Sequence, residues 1–516
     1  MDTINKRIDG IENKYNNDFW TLEDELGIAR TGDHLAQLAL EVPTPFTIGV
    51  IGKWGAGKTS ILRRAFVTLG GQPLSQILSL GENKTEDIAQ ANWIDWASDS
   101  NNRPTLLGWN EELTTLAKQS FCVWYSPWQH QHVDNPLISL LIEIIEQYKA
   151  QATKLGQKQQ SHRDGKIAAL SRMSELLLKG PAYLSGFGGI VTGGEKITKA
   201  GKEFWQQLQG TDLTELSQGQ RFHIKFEEAI ESLLSTLTDD QKLNQDARLI
   251  IFIDDLDRCE DQVVVKLLES IKLYLNSRRC VFVFGMDDGA VLKALQHYWS
   301  DRSEDDNREY LEKLFQAHLP IPIPNIPKIK TFIEKQLTAH QFPDVTATAE
   351  HLSQLLEPNP RKIKNFLNSL CANWALFKGK SQVAPRFVLF HYLRLYHKSV
   401  WRLLERQPWA LQVLTKVVTE SPDEIPDLPQ WVGDAEQRML WEIFSRAFAH
   451  VLRQEADDDE KKHRHLDLDE AVRLSEQRID RKRSDEYFIS WYKENISLEI
   501  KLPDSVLHLP IERETS

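Results

Sequence analysis

Short uncharged runs alternate along this chain with segments whose apolar residues recur every three or four positions. Phe46-Thr47-Ile48-Gly49-Val50-Ile51 is the first run, entered through Glu41-Val42-Pro43-Thr44-Pro45, where either proline would interrupt a helix. Uninterrupted apolar stretches of this kind suit strands buried on both faces, as in a parallel sheet. Ile61, Leu62, Ala65, Phe66 and Leu69 then follow at helical spacing. A second strand is predicted at Phe121-Cys122-Val123-Trp124-Tyr125, and a helix carries Leu137, Leu140, Leu141, Ile144, Ile145 and Tyr148 on one face. Phe222, Phe226, Ile230, Leu233, Leu234 and Leu237 mark another helix before the strongest strand signal, Leu249-Ile250-Ile251-Phe252-Ile253. Val264, Leu267, Leu268, Ile271 and Leu275 form the next helical face, and Val281-Phe282-Val283-Phe284 the next strand. Alternation of this kind through residues 46–285 predicts a parallel sheet with helices on its faces.

Past Pro320-Ile321-Pro322-Ile323-Pro324 the pattern turns wholly helical, with segments at about 328–376, 384–406, 409–419 and 431–455. The fold class expected is α/β: a three-layer parallel-sheet core with helical insertions, then an all-α lid and a C-terminal helical region. The corresponding divisions are a lead-in at 1–38, the core at 39–325, the lid at 326–400 and the C-terminal region at 401–516. Two insertions interrupt the core, at about 70–118 and 150–220, the first reading mostly as loop. The second contains Gly180–Gly194, uncharged and rich in glycine, which reads as a loosely packed loop or as a segment that inserts into a partner or a membrane surface.

Composition adds little beyond a normal globular chain. The 516 residues are 41% hydrophobic and 26% charged, with a formal net charge of -12. That balance disfavours a dedicated duplex-DNA coat protein and leaves room for a local basic groove. Cys122, Cys259, Cys280 and Cys371 lie far apart with no metal-ligand spacing, which suits a reducing compartment. The charged N-terminus lacks a signal-peptide core, and no apolar stretch reaches the roughly 18 residues of a membrane span, so a cytoplasmic protein is expected. His130 and His132, like His463 and His465, have no cysteine near them and are not expected to make a zinc site.

Candidate chemistry concentrates at two strand ends. Gly52-Lys53-Trp54-Gly55-Ala56-Gly57-Lys58-Thr59 satisfies G-x-x-x-x-G-K-[ST] residue for residue, between a buried strand and an amphipathic helix. Its glycines let successive N–H groups point at an anion, and the following helix adds its N-terminal partial positive charge. Lys58 would reach the β- and γ-phosphates, and the Thr59 hydroxyl would hold Mg²⁺, with Ser60 completing the loop. Asp254 and Asp255 end the strongest strand, one expected to act on the Mg²⁺ shell and the other to orient or deprotonate an attacking water. Arg258 has two readings, a local partner of Asp255 or Asp257, or a finger reaching the γ-phosphate on a neighbouring subunit. Asp287 stands where a γ-phosphate-sensing polar residue or a simple helix cap could lie.

Several spaced motifs together resemble the KAP family of P-loop NTPases. They are Gly52-Lys53-Trp54-Gly55-Ala56-Gly57-Lys58-Thr59-Ser60, Ser126-Pro127-Trp128-Gln129, Asp254-Asp255-Leu256-Asp257-Arg258-Cys259, Tyr310-Leu311-Glu312-Lys313-Leu314-Phe315-Gln316 and Pro358-Asn359-Pro360-Arg361-Lys362. The resemblance covers about residues 20–375 and implies an additional-strand ATPase sheet that binds ATP and Mg²⁺. It also implies that Arg361, on the helical lid, contacts the γ-phosphate. Two departures stand out. Many members carry paired transmembrane helices between the two phosphate motifs, where this chain has only residues 150–220, and Ser126 replaces the usual Asn. The function implied is an ATP-hydrolysing switch or assembly ATPase, acting as a homo-oligomer with a protein effector, in bacterial anti-phage defence. Nucleic-acid remodelling, with Arg478, Arg481, Lys482 and Arg483 beside Tyr487, Phe488, Trp491 and Tyr492, is an alternative, as is a nucleotide-locked scaffold.

Overall fold

The four uncharged runs and one further short segment pair side by side, all in parallel. In the computed structural model, which describes residues 20, 24–71, 109–132, 136–156, 172, 218–236, 245–272, 277–377, 384–406 and 487–491, they are β1 (Phe46–Ile51), β2 (Phe121–Tyr125), β3 (Leu249–Ile253), β4 (Cys280–Met286) and β5 (Ala317–Pro320). Their order across the sheet is β2-β3-β4-β1-β5. β4 thus lies between the strand that leads into the glycine loop and the strand that ends in the two aspartates. Registers run Ile251↔Phe282 across β3 and β4, and Thr47↔Phe282 across β1 and β4.

Every residue of β2, β3 and β4 is buried, because helices cover both faces. On one face α1 (Ala29–Glu41) and α2 (Lys58–Thr68) set Leu35, Ala39, Ile61, Leu62 and Phe66 against Ile48, Val50, Trp124, Ile250, Phe252 and Val283. α3 (Glu111–Gln119) adds Leu116 there. On the other face lie α4 (Pro136–Gly156), α5 (Gln218–Ser235), α6 (Asp261–Lys272), α7 (Asp288–Tyr298) and α8 (Glu304–Leu314), packed on Phe121, Val123, Tyr125, Ile251, Ile253, Phe282 and Phe284. Alternate residues of each strand therefore feed opposite cores, which is the three-layer arrangement. Two polar contacts lock the first face. Arg64 forks onto Asp33 at 2.6 and 2.8 Å, tying α2 to α1. Buried Arg248 donates to the carbonyls of Val42 (2.6 Å) and Ala39 (3.3 Å) at the C-terminal end of α1, where a cation offsets the exposed carbonyl charge.

β2 is an edge strand, and an unpaired edge invites unwanted pairing. The Gln147 side chain closes it by imitating a strand: it accepts from the Trp124 N–H (2.8 Å) and donates to the Trp124 carbonyl (2.6 Å). Glu143, one turn earlier on α4, accepts from the same amide at 2.9 Å. The opposite edge, β5, is short, only partly buried, and ends in Pro320, which has no N–H to offer a further strand. No strand is expected there from the hydrophobic pattern; the pairing of Ala317–Pro320 with Ile48–Ile51 makes it one.

Residues 19–323 form one compact unit, and the chain from Pro324 onward belongs to a second. The second holds α9 (Ile326–Ala339), α10 (Val345–Leu355), α11 (Pro360–Phe377), α12 (Ala384–Tyr396) and α13 (Lys398–Arg406). The helical pattern at 328–376 is thus three helices, broken where Asp344 takes a left-handed conformation and where Pro358 and Pro360 fall. Residues 487–491 dock on α10: the Tyr487 hydroxyl lies 2.7 Å from His351 Nδ1, and Trp491 stacks on the His351 ring at 4.4 Å. Phe488, Trp491 and Trp401 are buried. α3 lies inside the segment expected to be mostly loop; Asn110 caps it by accepting from the Leu113 N–H at 2.8 Å. Most of both predicted insertions, Gly180–Gly194, the helical patterns at 409–419 and 431–455, His463, His465 and the basic cluster Arg478–Arg483 fall outside the described residues. Among the described residues no helix is long and apolar enough to cross a membrane.

His391 on α12 is buried between Phe366 and Phe387, with no hydrogen-bond partner for its Nε2 among the described residues. Burial, helped by the nearby Arg394 charge, pushes its pKa down to about 4. A depressed folded-state value means the neutral ring contributes stability above about pH 6.5, and that this contribution is lost as pH falls through about 4. In thermal melts between pH 7 and pH 4 wild type should therefore lose stability relative to His391→Leu on acidification, the substitution removing up to about 3 kcal/mol of acid sensitivity from the helical unit.

Candidate functional site

The chain leaves β1 at Ile51 and turns into α2 through Gly52–Gly57. Gly55 and Gly57 have φ of 82° and 101°, in the left-handed region that disfavours side chains. No acidic side chain occupies the first turn of α2 and no side chain caps it, so its first N–H groups face the loop. Lys58 and Thr59 open this helix. Lys53 and Trp54 are exposed, Trp54 at 64%, whereas Lys58 is 7% exposed and folded back into the loop. Its Nζ donates to the carbonyls of Gly52 (3.0 Å) and Lys53 (3.4 Å) and forms an ion pair with Asp257 at 2.9 Å.

Across β4, Asp254 ends β3 and is buried. The Thr59 hydroxyl hydrogen-bonds to its carboxylate, while its Oδ2 has no hydrogen-bond partner among the described residues. Burial and then the adjacent Asp255 raise its pKa up to about 7. Gly285 on β4 keeps the approach open: a Cβ there would lie 2.4 Å from Leu62 Cδ1 and 2.9 Å from Asp254 Oδ1. Sequence reading missed Gly285, since nothing in Phe284-Gly285-Met286 says which strand faces the carboxylate.

Asp255 points elsewhere. Its backbone is left-handed (φ 60°, ψ 26°), which turns the chain into a short 3₁₀ segment, Leu256–Arg258. Its carboxylate accepts from Ser126 Oγ at 3.4 Å and pairs with Arg258 Nε at 2.8 Å. Burial raises its pKa, and the Arg258 charge opposes that rise. Arg258 also lies 5.8 Å from the Trp128 ring. Within this chain Arg258 pairs with Asp255, and Asp257 takes Lys58. Asp287 accepts from the Ala290 N–H at 3.3 Å and caps α7. Arg361 lies in the first turn of α11, in the second unit. His130, on the turn Pro127–His130, stacks on Tyr125 and lies 3.2 Å from Glu143, an acidic neighbour distant in sequence.

A glycine loop at the end of β1 and a pair of carboxylates at the end of β3, with one strand between them, lie together at the carboxyl edge of the sheet, where parallel α/β sheets commonly bind ligands. The family model of the KAP family P-loop domain matches residues 31–374. The chain belongs to the KAP family. Among curated proteins, one uncharacterised protein of Methanocaldococcus jannaschii is 29% identical over 188 residues, covering 32% of this chain and 89% of that protein. Among solved structures, a Walker-type ATPase of Pyrococcus abyssi aligns over 93% of this chain and 97% of its own at 10% identity, but with a TM-score of 0.30, too slight a likeness to bear on fold or function. The KAP match spans both phosphate-site elements and Arg361, so the loop, Asp254, Asp255 and the 3₁₀ turn all belong to the family's nucleotide-binding domain.

Burying Asp254 carries a stability cost that depends on protonation. Its folded-state pKa, raised to about 7 from 3.8, favours folding most below about pH 4, and that contribution is lost as pH rises through about 7. In EDTA, Asp254→Asn should melt higher than wild type at pH 8, by a stability difference on the order of 2–4 kcal/mol that closes toward pH 4. Equal melting at pH 8 would show that Asp254 carries no such cost.

Proposed function

We propose that this KAP-family chain binds ATP with Mg²⁺, hydrolyses it, and uses the change of occupant as a switch. The observation that carries the reading is the juxtaposition of the glycine loop with Asp254, whose buried Oδ2 lacks a hydrogen-bond partner beside the Thr59 hydroxyl. Two oxygen donors, one of them a buried carboxylate with spare lone pairs, suit a hard divalent cation. Thr59 and Asp254 would hold Mg²⁺, and the ion when bound neutralises charge on the β- and γ-phosphates. The backbone N–H groups of Gly55–Thr59 cradle the phosphates, Lys58 reaches their oxygens, and the α2 N-terminus adds its partial charge. Asp255, turned away from Asp254 and held by Ser126 and Arg258, orients the attacking water and takes its proton.

The larger assembly follows the family resemblance. Arg361, on the lid at 326–400, is assigned as a γ-phosphate sensor, and the core at 39–325 as the hydrolytic domain. A cytoplasmic homo-oligomer working with a protein effector in anti-phage defence completes the proposal. Phe488 and Trp491 are buried within the second unit, which removes two of the aromatics that a nucleic-acid-remodelling reading would use.

ATP turnover measured against protein concentration tests the reading. Lys58→Ala should abolish binding, whereas Asp255→Asn should keep it and lower turnover by roughly 10²–10⁴-fold. Turnover per molecule that rises with concentration, and loses that rise in Arg258→Ala, supports a site completed between subunits. ATP binding with no turnover under any condition would leave a nucleotide-locked scaffold in place of an ATPase.

A further inference from the structure

Lys58 is the residue that should meet a triphosphate, yet its ammonium is already fully engaged. It has three N–H donors and three acceptors: the Gly52 carbonyl at 3.0 Å, the Lys53 carbonyl at 3.4 Å and Asp257 Oδ2 at 2.9 Å. The side chains of Lys58 and Asp257 are each 7% exposed, so water screens the pair weakly. Asp257 reaches the lysine because Asp255 turns left-handed and starts the 3₁₀ turn; Arg258, on the same turn, folds back on Asp255. The turn is therefore pinned from two sides, through Asp257 to the phosphate loop and through Arg258 to the water-orienting carboxylate.

We propose that Asp257 is a built-in competitor for the phosphates, holding Lys58 until a nucleotide displaces it and so setting nucleotide affinity and association rate. The proposal rests on the nucleotide-binding reading of the loop. An incoming β,γ-phosphate must break the Lys58–Asp257 pair, and until the turn yields, the Asp257 carboxylate also repels it. Both effects act before the complex forms, so they slow association more than they hasten dissociation. Once Lys58 changes partner, the turn loses its tie to the phosphate loop and keeps its Arg258–Asp255 pair, which links occupancy of the loop to the setting of the water-orienting group.

Stopped-flow binding of fluorescent N-methylanthraniloyl-ATP, in EDTA and again with Mg²⁺, tests this on the full chain. Asp257→Asn keeps the side-chain shape and removes the charge; it should bind about tenfold or more tightly in EDTA, through faster association with little change in dissociation. Asp257→Glu, which retains the anion, should keep association slow. Asp257→Ser serves if the Asn variant melts early, and it should show the same gain. Wild type that binds while Asp257→Asn and Asp257→Ser bind no faster overturns the proposal and leaves the nucleotide-binding reading intact. Loss of affinity confined to Mg²⁺ overturns it too, since Asp257 would then serve the metal side of the site. Failure of wild type and every variant to bind nucleotide overturns both readings, whereas binding by the charge-free variants alone supports this one.

Discussion

Everything at the candidate site depends on how closely α2 can approach the end of β3 across the intervening strand. The distance is set at Gly285. With a side chain there, Leu62 and Asp254 would both have to move, because a Cβ would sit 2.4 Å from one and 2.9 Å from the other. Those two neighbours are consequential. Leu62 anchors the helix that carries Lys58 and Thr59 into the core, and Asp254 accepts the Thr59 hydroxyl. A bulkier residue at 285 would therefore separate the two halves of the phosphate site rather than merely roughen a strand. Gly52 plays a similar part at the start of the loop, where a Cβ would lie 2.9 Å from Ile321 Cδ1 beyond β5.

Charge is arranged around that close approach in an unequal way. Asp254 is buried, and the Thr59 hydroxyl and the Asp255 N–H only partly offset the desolvation, so its carboxyl stays well above the usual carboxylate range. Asp255 has Ser126 and Arg258 as partners, while Asp257 is matched by Lys58. Arg63 lies over the Trp124 ring at 3.7 Å, and its charge lowers the pKa of both Asp254 and Asp255. The aromatic cluster beneath it, Phe66, Trp124 and Phe252 with centroids 5.6 to 6.2 Å apart, makes the sheet face rigid where the charges gather. The least compensated group of the set is thus the one expected to meet a cation.

The pattern of residues made some of this legible and hid the rest for identifiable reasons. β1 to β4 stand out because strands covered on both sides must be apolar at every position, a demand few other segments meet. β5 has no such demand at an edge, and Ala317-His318-Leu319-Pro320 carries no signal apart from its partner β1. The loop glycines and Asp254-Asp255 are contiguous motifs and could be read directly. Gly285 and the Lys58–Asp257 pair could not, because each is a contact between residues far apart in sequence. Glu143 beside His130 escaped for the same reason. Arg258 was ambiguous in sequence because both Asp255 and Asp257 precede it within three residues; the left-handed turn at Asp255 decides which one it meets.

That turn also explains how two adjacent carboxylates can take different roles. Side chains of successive residues in an extended strand point to opposite faces, but both would still lie along one strand axis. A left-handed residue redirects the chain immediately, at a cost of order 1 kcal/mol for a side chain other than glycine. Here the cost is met by burying Leu256 fully and by the Arg258 pair that closes on Asp255 from three residues ahead. The result is that Asp254 faces inward to Thr59 while Asp255 faces Ser126 and Arg258. Glycine at 255 would adopt the same backbone more easily but would carry no carboxylate, and with it the contacts to Ser126 and Arg258 would be lost.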